Sequence, residues 1–525
     1  MLPVHPLPKQ PPTSPHGSSI ASTWLLGVAL GLAGCAPLPL LAGRTASYAL
    51  QDTTGTPLGQ AVAPEAARHP GLTGIEPIAD GRVSLGMRLA LLRAATRSID
   101  IQTFIWHADN SGTLLYEEVL RAAERGVRVR LLLDDVNTQG LDPIFAMLDA
   151  QPNIQLRLYN PFTSRGSRGL GFLGDFERLN RRMHNKSFTA DNQAAIVGGR
   201  NLADEYFEAG EGVSFADVDV LAVGEAVRAI SAEFDVYWNC GSADPARLII
   251  DREPAVSRAD FAARARAINE SPTTLAYAEA LSRTPQAQAL LERRLPFEWT
   301  TAQVAHDDPE KTLDLDDEKH LQLLPKLIQF FGPPAKELDL VSPYFVPGEF
   351  GTAALVALAR RGVRVRILTN SLAGTDEVSV HSGYARRRKD LLRAGVQLFE
   401  IKPSAAPILK RGEEIGKHST AGLHAKTFAV DQRRIFVGSF NFDPRSAKLN
   451  TEMGLIIDSP SLAERLSRTL DNALPGLAYQ VTLDANGSLL WHDGLGATLD
   501  DEPETGWGRR LKVHIFSWLP IEWLL

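Results

Sequence analysis

The chain has 525 residues, 44% of them hydrophobic and 22% charged, which is too long for one ordinary domain and too apolar for a disordered chain. Lys+Arg number 55 against Asp+Glu 62, a net charge of -7, so the broad basic surface of a nucleic-acid binder is missing and no nucleic-acid partner is expected. The two cysteines, Cys35 and Cys240, exclude a disulfide framework, and no cluster has metal-ligand spacing, so neither metal nor other cofactor is expected.

Residues 1–22 are polar and rich in Pro and Ser, and Thr23–Cys35 is an apolar run. Its length suits the core of a signal peptide and is too short for a membrane-spanning helix. It ends in Leu32-Ala33-Gly34-Cys35, which resembles the bacterial lipobox. That resemblance implies a lipoprotein signal peptide at 1–34, acylation of Cys35 and attachment to the bacterial cell envelope. Ala36, in place of Asp, resembles the pattern of an outer-membrane destination, here facing the periplasm. Residues 35–75 carry much Pro, Gly, Ala and Thr with little periodicity and read as a tether.

From Leu85 a helical stretch leads into the strand-like run Ser98–Trp106. A second helix, Gly112–Arg125, is closed by Gly126, and the apolar run Val127–Asp135 reads as a buried strand. This is a β-α-β unit with a parallel strand pair. It returns as Leu338–Phe345, helix Ala353–Arg361 and strand Gly362–Asn370. Arg125-Gly126-Val127-Arg128-Val129-Arg130 recurs unchanged as Arg361-Gly362-Val363-Arg364-Val365-Arg366. The repeat predicts an α/β protein of two duplicated α-β-α domains, 76–250 and 331–480, with mixed, largely parallel sheets in pseudo-twofold arrangement. Between them, Ala255–Leu295 and Asp317–Phe331 read as amphipathic helices of an insertion at 251–330, with a strand opening at Glu298-Trp299-Thr300. The extension 481–525 ends Trp518-Leu519-Pro520-Ile521-Glu522-Trp523-Leu524-Leu525. It is expected to pack on the second domain in preference to touching a membrane.

A second repeat carries the chemistry. Met183-His184-Asn185-Lys186-Ser187-Phe188-Thr189-Ala190-Asp191 and Leu423-His424-Ala425-Lys426-Thr427-Phe428-Ala429-Val430-Asp431 both read His-x-Lys-x4-Asp, and each runs into an apolar tail ending in Asn201 or Asn441. On a strand, His and Lys two apart share a face. Lys supplies fixed positive charge for phosphate oxygens, while neutral His attacks phosphorus or moves a proton. Converging from two halves, one His serves as nucleophile and the other as general acid. Asp191 and Asp431 complete the motif but sit in turn-like stretches and read as turn-formers more than as catalysts. A nucleophilic His needs an acceptor on its far nitrogen, and Asp217 and Glu452, at matching strand positions of the two repeats, are the favoured orienting carboxylates. His381 and Tyr384 are candidates for lining the cleft, with packing or capping as the alternative. Cys240 reads as a small buried hydrophobe.

These motifs resemble those of the phospholipase D superfamily from about residue 76 to the end. Gly438-Ser439-Phe440-Asn441 through Glu452 looks like that family's extended second motif, whereas Gly199 stands where the family usually has Ser. Gly198-Gly199-Arg200-Asn201 and Leu132-Leu133-Asp134-Asp135 resemble the bacterial cardiolipin synthase C-type branch. The resemblance implies ping-pong phosphatidyl transfer through a phosphohistidine, with His184 the favoured nucleophile and His424 the acid/base. Lys186, Lys426, Asn201 and Asn441 would hold the non-bridging oxygens. It implies phospholipid substrates at a membrane surface, phosphatidylglycerol foremost and phosphatidylethanolamine next, with room for an accessory protein. The alternatives are hydrolysis to phosphatidic acid, a nuclease-type phosphodiesterase, and a non-catalytic envelope protein.

Overall fold

The computed structural model describes residues 44–209, 214–250, 256–271, 285–313, 319–405, 421–472 and 474–525. The expected signal peptide and Cys35 lie outside these residues.

Two sheets share one strand plan. The first has nine strands in the order Glu298–Thr300, Thr73–Ile78, Asp219–Gly224, Ala194–Gly198, Ser187–Ala190, Ser98–Thr103, Arg128–Asp134, Ile154–Tyr159, Ala243–Pro245. The second has ten, in the order Ala302–His306, Met453–Ile457, Arg434–Gly438, Thr427–Val430, Glu337–Val341, Arg364–Asn370, Gln397–Ile401, Ala478–Leu483, Leu489–His492, Thr498–Leu499.

The repeated hexapeptide builds the same piece twice. Gly126 and Gly362 close their helices at φ of 90° and 86°, a conformation a side chain would strain. The strands that follow are buried on both faces after their first residue, as parallel central strands are. Buried within them, Arg130 and Arg366 each donate through Nε to an aspartate on the neighbouring strand, Asp100 and Asp339, at 2.7 Å.

Within these two sheets, parallel pairing is confined to three consecutive strands of each. The hairpins that carry the His-Lys motifs, and the strands beyond them, pair antiparallel. The sheets are therefore mixed but not largely parallel. The β-α-β units that suggested parallel order account for only three strands, and a short hairpin can join strands only antiparallel.

Two expectations about the flanking segments change, and the boundary of a third segment moves. Residues 44–75 do not behave as a tether. Arg44 donates to Asp244 at 2.6 Å, the backbone of Ala49 to Asp235 at 2.9 Å, Pro57–Ala66 is helical, and Thr73–Ile78 is already a sheet strand. The segment 251–330 is not only helical. It contains the helices Arg258–Asn269, Pro285–Leu291 and Leu323–Phe331, but Glu298–Thr300 adds to the first sheet and Ala302–His306 to the second. The C-terminal extension shares strand Ala478–Leu483 with the second sheet, and its helix Trp507–Trp518 packs on helix Val378–Ala385.

The two sheets meet through an apolar cluster that takes Ala195, Val197 and Val220 from the first and Ile435, Val437 and Leu455 from the second. A two-stranded parallel sheet, Ser214–Ala216 with Ala421–Leu423, and a bridge between Met183 and Thr451 stitch the seam.

Candidate active site

The seam positions the histidines. His184 N donates to Thr451 O at 2.8 Å and Thr451 N to Arg182 O at 2.9 Å, laying the entry to the first motif beside the residues that end in Glu452. His424 N donates to Ala216 O at 2.9 Å, laying the second motif beside Asp217. The side chains follow. His184 Nδ1 lies 2.8 Å from Glu452 Oε2, and His424 Nδ1 lies 2.6 Å from Asp217 Oδ2. Each imidazole is thus held by a carboxylate from the opposite half. Sequence reading picked out both acids without showing that the pairs cross, because the crossing is set by strand pairing between the halves.

Burial sets the protonation states. His184 is 7% exposed and His424 6%. Desolvation, reinforced by Lys186 and Lys426, pushes His184 well below the usual imidazole range. Desolvation and Lys426 take His424 to about 4 against the pull of Asp217. Both rings are therefore neutral near pH 7, with Nδ1–H donated to the carboxylate and the Nε2 lone pair left for chemistry. Lys186 and Lys426, whose ammonium groups reach back to the carbonyls of His184 and His424 at 2.6 and 2.5 Å, are pushed by burial down to about 7 and about 8. Lys426 depresses His184 and Lys186 depresses His424, so the two motifs act within one electrostatic field.

The two carboxylates differ. Burial raises Glu452 to about 7, with Lys186 opposing; Ser439 and Ser446 donate to its oxygens at 2.5 and 2.7 Å. Burial also opposes ionisation of Asp217, but His424, Lys426 and Arg200 outweigh it and hold it at about 2. The glycine that departs from the motif follows from the shorter acid. A Cβ on Gly199 would lie 2.3 Å from Asp217 Oδ1. The place of the missing hydroxyl is taken by Asp217 itself, which accepts from Val218 N at 2.8 Å. Arg200 replaces Phe440 and anchors the same turn by donating to Asp217 O at 2.5 Å and Ile78 O at 2.9 Å.

Asp191 and Asp431 are not brought to the histidines. They stand at the far ends of the motif strands, in turns with φ of 50° and 54°. Asp191 accepts from the backbone amides of residues 96, 97 and 98, and Asp431 from those of 335, 336 and 337. As catalysts they are corrected; their carboxylates are saturated by backbone amides. Asn201 accepts from Ile105 N at 3.2 Å and donates to Tyr206 Oη at 2.8 Å. Asn441 is buried, and its backbone N–H donates to Ser446 Oγ at 3.3 Å. His381 and Tyr384 do not line the cleft. His381 contacts Arg388 and Tyr384 donates to Glu400 at 3.1 Å, within a buried network that Arg388 extends to Glu502 of the C-terminal segment at 2.6 Å.

Several residues of the site escaped the sequence reading. Phe104 stands edge-on to His184 at 4.9 Å, and Tyr206 and Phe215 pack on His424 at 5.0 and 5.3 Å. From the connector, Asp307 Oδ2 accepts from Glu452 N at 2.7 Å, and Lys311 binds Asp307, Ser446 O and Asn450 O. No repeated motif marks any of them; only Phe104, at the end of a strand in the first repeat, carried a positional hint. Among the described residues one group, His107, Asp109 and Glu205, could gather around a cation, but Asp109 already accepts from Gly112 N and Asp204 N as a helix cap.

Two buried histidine-lysine pairs and their crossed carboxylates suit transfer of a phosphodiester. The comparisons with known proteins agree. Residues 89–238 and 327–474 match the family model described as cardiolipin synthase, PLD-like domain. The chain belongs to this family. It is 43% identical to cardiolipin synthase C of Escherichia coli K12 over 474 residues, covering 89% of this chain and 99% of that protein. It is 25% identical over 414 residues to cardiolipin synthase A of Pseudomonas entomophila, covering 78% and 70%. Among solved structures, a phosphatidylserine synthase of Haemophilus influenzae matches with a TM-score of 0.56 at 13% identity, covering 89% of this chain and all of that one, a likeness of fold. The family member is an enzyme, a phosphatidyltransferase of the phospholipase D type.

Proposed function

We propose that the enzyme cleaves phosphatidylglycerol, forms a phosphatidyl-histidine at His184, and passes the phosphatidyl group to an alcohol, as in cardiolipin formation. Nε2 of His184 attacks phosphorus as the bond to the headgroup oxygen breaks. His424 Nε2, protonated in the loaded site, gives that oxygen its proton, and glycerol leaves. The acceptor hydroxyl then loses its proton to His424 and attacks phosphorus, freeing His184. Lys186 and Lys426 neutralise the non-bridging oxygens, with Asn201 and Asn441 completing the cradle. The observation that supports this reading is the pair of crossed carboxylates, which fixes the Nδ1–H tautomer on both rings. The assignment of roles is supported by the firmly ionised Asp217, which favours an imidazolium at His424. Phosphatidylglycerol, whose headgroup carries free hydroxyls, is the preferred acceptor; phosphatidylethanolamine, which has none, is a second phosphatidyl donor that releases ethanolamine, and water as acceptor gives phosphatidic acid. In the cell, acylated Cys35 would attach the enzyme to the outer membrane on its periplasmic side.

The test is to incubate purified protein with phosphatidylglycerol vesicles, with and without phosphatidylethanolamine, and resolve cardiolipin, phosphatidic acid and free glycerol. Cardiolipin is the expected result, with matching glycerol from phosphatidylglycerol alone and with ethanolamine released wherever phosphatidylethanolamine is the donor. Phosphatidic acid alone would replace transfer by hydrolysis. A covalent phosphatidyl adduct should survive in His424→Ala and be absent in His184→Ala; the reverse pattern exchanges the two roles. Labelling with a fatty-acid analogue in a bacterial host should mark the chain and not its Cys35→Ala variant.

A further inference from the structure

The C-terminal helix Trp507–Trp518 shows two faces. Val513 is buried against helix Val378–Ala385, and Arg509 donates to Thr375 O. Roughly opposite, at helical spacing, Trp507, Leu511, Ile515 and Trp518 are exposed, the two tryptophans at 80% and 78%, and Leu519 and Trp523 continue the surface. Three of the chain's eight tryptophans therefore face outward on its last nineteen residues. A surface of this kind is uncommon on a soluble face.

Its position is tied to the site. Arg445 N donates to Leu525 O at 2.9 Å, Arg445 Nε to Leu524 O at 3.0 Å, and its Nη2 to Asn180 Oδ1 at 2.9 Å. The tail is thus fastened between the second half and the residues that lead into His184. Just before Asn180 in the chain, the short helices Arg168–Gly174 and Phe176–Leu179 expose Leu173 and Phe176. Both apolar surfaces are thus joined to the segment through which the chain enters the first motif, the tail through Arg445 and the short helices through the chain itself.

We propose that the outward stripe of the C-terminal helix, with the tail and the Leu173–Phe176 tip, is the surface on which this enzyme rests on a lipid bilayer. The inference rests on the reading that its substrate is a phospholipid. The histidines are buried, and a long-chain lipid is present in water almost wholly as bilayer, so the entrance must be brought to the membrane. Tryptophans beside Lys512 and His514 suit the headgroup layer, where one edge is wet and the other apolar. Among the described residues no helix is long and apolar enough to cross a membrane, and a stripe of this length lies along an interface.

The test uses the full chain with Cys35→Ala, so that no acyl group at that residue holds it to lipid, beside the same chain also carrying Trp507→Ser and Trp518→Ser. Vesicles of phosphatidylglycerol and phosphatidylethanolamine serve for cosedimentation and turnover, and dihexanoyl phosphatidylglycerol below its micelle concentration serves as dispersed substrate. The variant is expected to lose vesicle binding and vesicle turnover about tenfold or more while keeping the parent's rate on dispersed lipid, which also shows that it is folded. Vesicle binding equal to the parent's overturns the proposal. A parent that sediments as a dimer, with a monomeric variant and no vesicle binding by either, assigns the stripe to a second copy of the chain and overturns it as well. A parent that binds vesicles through these tryptophans but turns over neither lipid sinks the transfer reading and leaves the docking surface standing.

Discussion

At the residue scale, the two halves of the site are alike in geometry and unlike in charge. Ser439 with Glu452 in one half, and Gly199 with Asp217 in the other, are two solutions to placing a carboxylate under an imidazole. Gly199→Ser should therefore do more harm than Ser439→Gly. The added Cβ would displace Asp217, and the transfer rate should fall on the order of a hundredfold, read as kcat on vesicle lipid; equal loss in the two variants would contradict this. The lysines make a pH prediction. Burial lowers both, so charge is lost from the free enzyme as pH rises through about 7 for Lys186 and about 8 for Lys426. Their charge is fully present below these values, so kcat/KM should decline across that window, and a profile flat to pH 10 would exclude them as phosphate ligands. The glycine's departure from the motif was visible in the sequence. Its reason was not, since the acid that fills the space is eighteen residues further on.

Among the elements, the motif hairpins show how a repeated aspartate is put to use. Asp191 and Asp431 each tie a turn to the start of the neighbouring strand by taking its first backbone amides. Asp191 is fully buried, so Asp191→Ala would strand those donors without water and should lower stability by about 3 kcal/mol in denaturant unfolding. Asp431, more exposed, should cost less when replaced. Loss of activity in Asp191→Ala at unchanged stability would instead return this residue to the chemistry. Both turn roles were legible from the spacing, because Asp tolerates left-handed backbone. Strand direction was less so: the β-α-β repeats advertise their parallel pairs, while the antiparallel majority is formed by short strands such as Ala302–His306 whose partners lie elsewhere in the chain.

For the whole molecule, the duplication was plain in the identical hexapeptides and the paired motifs, and with it the expectation of two domains sharing one cleft. What could not be read was how the halves are held in register. The connector does much of this: Lys311 and Asp307 grip the backbone from Ser446 to Glu452 at the back of the His184 pair. Lys311→Met should leave the far-ultraviolet circular dichroism unchanged and reduce kcat tenfold or more, with little change in KM, as expected when a positioning contact and not a substrate contact is lost. An unchanged kcat would remove the connector from the site's support.

The crossing of the carboxylates also bears on when the enzyme becomes active. His184 and Glu452 are 268 residues apart in the chain, and His424 and Asp217 are 207 apart. During synthesis the first histidine emerges long before the acid that orients it, and no fragment ending short of Glu452 contains both dyads. Catalytic competence arrives only with the last part of the chain, so a ribosome-bound or truncated product that reaches a membrane carries unoriented imidazoles and leaves its lipids intact.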